Sequence, residues 1–81
     1  MIVTVRLCAS LREASGIEEC SVALPPAARA LDAKAVLGER YPRLQGLLDS
    51  ARLARNLDYQ PWTVPLRDGD ELYLIPPVSG G

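Results

Sequence analysis

The residues with the clearest chemical meaning stand at the end of the chain, Pro76-Pro77-Val78-Ser79-Gly80-Gly81. Two prolines fix φ and favour an extended course. The run closes on glycines, whose missing Cβ lets backbone enter a channel too narrow for any other residue. The group such a tip presents is the main-chain carboxyl of Gly81. With a reference pKa of about 3.5 it is ionised at neutral pH, and it is a poor electrophile until a leaving group is attached. The pattern therefore suits activation by an ATP-using partner, which makes an acyl-adenylate, followed by displacement of AMP by a nucleophile such as a sulfur donor. Gly81 is the acyl carrier in this reading. Gly80, Ser79, Val78, Pro77 and Pro76 form a tail that inserts into a partner.

The remainder of the chain carries little machinery for chemistry of its own. It has no histidine, so the commonest general base is absent and Cys8 and Cys20 have no imidazole to activate them. Two cysteines outside a Cys-x-x-Cys spacing do not complete a four-ligand zinc site. Nine basic and ten acidic residues are interspersed, which argues against nucleic acid as the main partner; eight of the nine are arginine. No apolar run approaches the ~18–20 residues of a membrane span or resembles a signal peptide. The expectation is a cytoplasmic protein with no bound cofactor, whose two cysteines stay free thiols in a reducing compartment.

Eighty-one residues make one small domain, with residues 76–81 as its tail. Residues 1–9 alternate, with Val3, Val5, Leu7 and Ala9 on one face and Thr4, Arg6 and Cys8 on the other, as in a half-buried strand. A loop over 10–17 with a turn at Ser15-Gly16 leads to a second strand over 19–24, with Cys20, Val22 and Leu24 inward. Pro25-Pro26 opens a helix over 27–40 whose stripe is Ala30, Ala33, Leu37 and Tyr41. Pro42 stops it. Residues 43–49 predict a helical turn with Leu44, Leu47 and Leu48 inward, 51–57 a strand, and 59–63 a short edge strand. Asp68-Gly69-Asp70 is a turn launching a final strand over 71–75, closed by prolines that donate no ladder hydrogen bond. The order is β-β-α-β-β, giving an α+β domain with four strands, or five with the edge strand.

With that order and that tail, the chain resembles the small subunit of molybdopterin synthase among the ubiquitin-like β-grasp sulfur carriers. The resemblance covers the full length. It is carried by Leu66-Arg67-Asp68-Gly69-Asp70-Glu71-Leu72 and by Ile75-Pro76-Pro77-Val78-Ser79-Gly80-Gly81, with weaker support from Arg12-Glu13, Tyr41-Pro42 and Asn56. It implies a ubiquitin-like β-grasp fold, a mixed sheet packed on one main helix plus a short helical turn. It also implies that a ubiquitin-activating-type adenylyltransferase spends ATP on Gly81 and that a sulfurtransferase or persulfide turns the adenylate into a thiocarboxylate. The tail would then enter the large synthase subunit, in a heterotetramer, and deliver sulfur to a pyranopterin precursor. Sulfur carriers for thiamine or tRNA thiolation, and ubiquitin-like protein modifiers, share this tail chemistry and stay open.

Four positions depart from the family pattern: Arg55 replaces an apolar strand residue, Arg29-Ala30 a Thr-Val pair, and Cys8 a bulky apolar residue. Parity along the central strands turns Leu72 and Leu74 toward the helix, and Tyr73 and Ile75 outward with Cys8. These three, with Arg12 as a salt-bridging residue, are the partner-binding candidates.

Overall fold

Val3, Val5 and Leu7 lie inside while Thr4 and Arg6 stay partly exposed, and this period-two pattern makes β1 (Ile2–Leu7) the inner wall of a sheet. The computed structural model describes residues 1–77. After β1 the elements are α1 (Ala9–Ser15), β2 (Glu19–Ala23), α2 (Ala30–Arg40), a 3₁₀ turn (Pro42–Leu44), α3 (Gln45–Leu48), β3 (Arg52–Arg55), β4 (Asp58–Gln60) and β5 (Glu71–Ile75). The five strands form one mixed sheet in the order β2-β1-β5-β3-β4, with β1 and β5 parallel at its centre and the other pairs antiparallel. The helices cover one face, and the result is an α+β β-grasp fold.

The connection between β1 and β2 differs from expectation. Residues 10–17, expected as a loop, lie largely in α1, and Ala9, expected inward, is exposed at its start with φ 47°. The helix exists to bury Leu11, which is fully inside and closes one end of the core; such burial of a leucine is worth about 1.5–3 kcal/mol. Gly16, at φ 78°, is the left-handed C-cap, its N–H donating to Arg12 O at 2.8 Å. The Ser15-Gly16 signal was a turn, but one that ends a helix.

The main helix also begins later than 27. Ala28 N–H donates to Pro25 O at 3.3 Å, with Ala27 at φ 69°, so 25–28 is spent on a turn and Ala28 is buried beneath it. Arg29 occupies the N-cap, where its side chain has no acceptor to offer. The Asp32 carboxylate reaches back instead to accept Arg29 N–H at 2.7 Å. The orphan N–H groups of Ala30 and Leu31 donate to Val64 O and Trp62 O, at 3.0 and 2.9 Å. Ala30, Ala33 and Leu37 face the sheet as the stripe predicts, Gly38 joins them inside, and Tyr41 is half-buried.

Leu44 and Leu48 are buried, but Leu47 is 39% exposed, because the 3₁₀ start rotates the following turn out of the assumed register. β3 and β4 are shorter than the expected 51–57 and 59–63, being joined by a two-residue hairpin at Asn56-Leu57. The turn before β5 is stapled to the start of β1: Ile2 N–H donates to Asp68 Oδ1 at 2.7 Å, and Gly69 N–H, at φ 87°, to Ile2 O at 2.8 Å. Both cysteines are free and half-buried, Cys20 packing against the core from β2. Burial pushes its thiol pKa up, with Arg40 opposing.

Candidate functional site: the apolar half of the open sheet face

β5 sends Leu72 and Leu74, each 1% exposed, into the core and turns Tyr73 and Ile75 to the side the helices leave open. Cross-strand register then aligns Glu19, Arg6, Tyr73, Ala54 and Tyr59 in one row over all five strands, with Ile75 opposite Arg52 in the row beside it. The row divides by chemistry. On β2 and β1, Arg6 pairs with Glu19 at 3.1 Å and with Glu71 at 3.2 Å; the Glu71 hydrogen bond and then the Glu19 charge raise its pKa. Toward β4 the surface is apolar, and Ala54, Leu57, Tyr59, Tyr73 and Ile75 line an open hollow of about 280 Å³. The Arg52 guanidinium lies over the Tyr59 ring, 4.0 Å from its centroid.

Leu57 is the unusual member. Asn56 and Leu57 have φ of 54° and 68°, the pair of positive values a tight hairpin of primed type requires. Asparagine tolerates that region, whereas leucine is strained there by about 1–2 kcal/mol. Leu57 is also 99% exposed, so the fold gains nothing from its side chain. This strained and fully solvated leucine stands on the rim of the apolar hollow.

Of the partner-binding candidates, Tyr73 and Ile75 line the hollow, and Cys8 and Arg12 do not. Cys8 stands at the N-cap of α1, its N–H donating to Leu74 O at 3.2 Å, beside the end of β5. Arg12 is exposed on α1 and pairs with Glu18 at 3.6 Å. Pro76, partly buried, and Pro77, exposed, lead away from Ile75. Val78, Ser79, Gly80 and Gly81 lie outside the described residues. Ala54, Leu57, Tyr59 and Arg52 join the site without having been expected from the sequence. Their signal was the Asn56-Leu57 dipeptide, a hairpin turn whose strands place Ala54 and Tyr59 opposite each other.

The hollow offers apolar grip and no general base. Among the described residues no group of three or more His, Cys, Asp or Glu is placed to hold a metal, and no helix is long and apolar enough to cross a membrane. What the site provides is an exposed apolar face beside β5, the strand that precedes the terminal residues.

The model of the ThiS family matches residues 5–81. This chain belongs to that family. The ThiS-family chain is 34% identical over 83 residues to the molybdopterin synthase sulfur carrier subunit of Chlamydomonas reinhardtii, covering 100% of both chains. Against the protein of the same name from Aedes aegypti it is 46% identical over 57 residues, spanning 63% of this chain and 58% of that relative. Among solved structures, SAMP1 from Haloferax volcanii superposes with a TM-score of 0.91 at 29% identity, covering 100% of both chains. A chain of the complex of subunits 1 and 2 of the Helicobacter pylori molybdopterin-converting factor superposes with a TM-score of 0.72 at 28% identity, again over 100% of both chains.

Proposed function

We propose that the chain is a sulfur carrier of molybdopterin biosynthesis, acting in the cytoplasm, with Gly81 as the carrying residue. The Gly81 carboxylate attacks the α-phosphate of ATP on an adenylyltransferase of the ubiquitin-activating type, and pyrophosphate leaves. A persulfide on a sulfurtransferase displaces AMP to form an acyl disulfide, and a thiol then cleaves its S–S bond, releasing the thiocarboxylate and leaving a disulfide on the sulfurtransferase side. In the large synthase subunit that sulfur passes to a pyranopterin precursor and the carboxylate is regenerated; two deliveries complete the dithiolene. Gly80, Ser79, Val78, Pro77 and Pro76 thread the tail, while Tyr73, Ile75, Ala54, Leu57 and Tyr59 hold the body against its partners. The chain supplies the acyl group and binds no cofactor itself; the large subunit supplies acids and bases, in a heterotetramer.

The observation carrying this reading is the family match through residue 81, on a fold whose last strand runs out beside an apolar docking face. The Helicobacter pylori neighbour is a complex of two converting-factor subunits, which favours the large subunit as the occupant of that face. Intact mass spectrometry after incubation with ATP, the activating enzyme and a sulfur source tests it. The expected product gains one sulfur for one oxygen, confined to the C-terminal peptide, and deletion of Gly81 abolishes the gain with the fold intact. Sulfur delivery undiminished by that deletion overturns the reading.

A second reading, attachment of Gly81 to lysines of other proteins, is favoured by the likeness to small archaeal modifier protein 1. Isopeptide-linked products in the same experiment distinguish it.

A further inference from the structure

Lys34 is the one lysine of the chain, the other eight basic residues being arginine. A guanidinium keeps its proton at any working pH and is no acyl acceptor. Lys34 therefore carries the only side-chain amine on which an activated carboxyl of the same chain, or of another copy, could be lost. The structure restrains that amine on α2, on the side of the sheet away from the docking face. Its Nζ lies 3.6 Å from Asp49 Oδ1 and 5.0 Å from the centroid of the Trp62 ring, with the side chain 22% exposed. The ring is pinned in turn, Trp62 Nε1 donating to Ala51 O at 3.3 Å.

Aminolysis of an activated terminus requires the nitrogen lone pair. The amine attacks the acyl carbon, a C–N bond forms, the C–O bond to AMP or the C–S bond of a thioester breaks, and the ammonium proton passes to solvent. Ion pair and cation–π contact are both made by the ammonium, and both are forfeited in the amide. We propose that the chain spares its own activated end: with Lys34 held between Asp49 and Trp62, the part-buried Met1 ammonium donating to Leu24 O at 2.8 Å, and every other cation an arginine, copies do not acylate one another. The acyl group then survives until a partner presents its acceptor. This inference rests on the carrier reading, in which Gly81 is activated.

The test uses the full-length chain with Gly81 installed chemically as an alkyl thioester, followed by intact mass and peptide mapping. The comparison chain carries Arg43→Lys, which adds an exposed amine on the 3₁₀ turn. Acylation at position 43 is expected to run about tenfold faster than at Lys34, the factor that a cation–π contact and a partly exposed ion pair together supply. Asp49→Ala, at an exposed carboxylate, and Trp62→Ala are each expected to narrow that gap. Equal rates at the two positions overturn the inference, as does a Lys34 rate indifferent to both variants. Because the thioester is installed without any enzyme, failure of the carrier reading shows separately, as absence of adenylation by the activating enzyme with ATP.

Discussion

Arg55 Nη1 lies 3.0 Å from Asp70 Oδ2, both side chains about one-fifth exposed, and this pair joins the end of β3 to the turn that launches β5. The same Nη1 donates to Pro65 O at 2.8 Å, and the same carboxylate oxygen accepts Arg67 N–H at 2.8 Å. Arg55 thus fastens the loop before β5 to the sheet. Arg55→Ala is expected to lower unfolding free energy by about 2 kcal/mol, the scale of a charged hydrogen bond with its partner left behind. Asp70→Ala, which also removes the Arg67 contact, should cost at least as much. Urea denaturation of both variants measures this, and their double mutant gives the coupling.

Leu57→Gly should separate stability from recognition. Relieving the left-handed leucine is expected to stabilise the fold by about 1 kcal/mol, while removing its exposed side chain weakens binding of the large subunit. A higher urea midpoint together with a larger dissociation constant is the outcome to look for. A variant that binds normally would show Leu57 to be only strained.

Tyr73→Ala leaves the core alone, because the side chain projects from the open face between Arg6 and Ala54. If Tyr73 anchors the docking face, its truncation should cost about 2 kcal/mol of partner binding, near thirtyfold in dissociation constant. Calorimetric titration measures the loss. The urea midpoint should move less than in Arg55→Ala.

Cys20 gives a pH dependence whose direction is set by burial, which raises its pKa from the reference value of 9.0. Below that value both folded and unfolded thiols are protonated and its contribution is fully present. As pH rises through 9.0 toward the folded value, the unfolded chain has lost its proton while the folded one retains it, so stability falls. Cys20→Ala should remove that part of the alkaline decline, measured as unfolding midpoint against pH.

The sheet was readable because its signal is local: a period of two along residues 3–7 and 72–75 decides which side chains meet the helix, and it correctly sent Tyr73 and Ile75 outward. α1 was not readable, being seven residues long with a cap position, Cys8, that makes no side-chain hydrogen bond; only tertiary burial of Leu11 sustains it. The early start assigned to α2 came from reading Pro25-Pro26 as a helix opening, when the chain needed a turn there to bury Ala28. Leu47 went the wrong way because a 3₁₀ start shifts phase by an amount that sequence spacing does not carry. The hollow was only half legible, since its far wall depends on the pairing of β3 with β4 and β5, a long-range fact.

The central place of β5 has a mechanical consequence. The strand that precedes the terminal residues is laced on one side to β1 and on the other to β3. A partner hauling on the chain beyond Ile75 loads two ladders together, along their length, instead of peeling one bond at a time. The body is therefore towed whole by its end, and an enzyme that grips the terminus holds the entire domain.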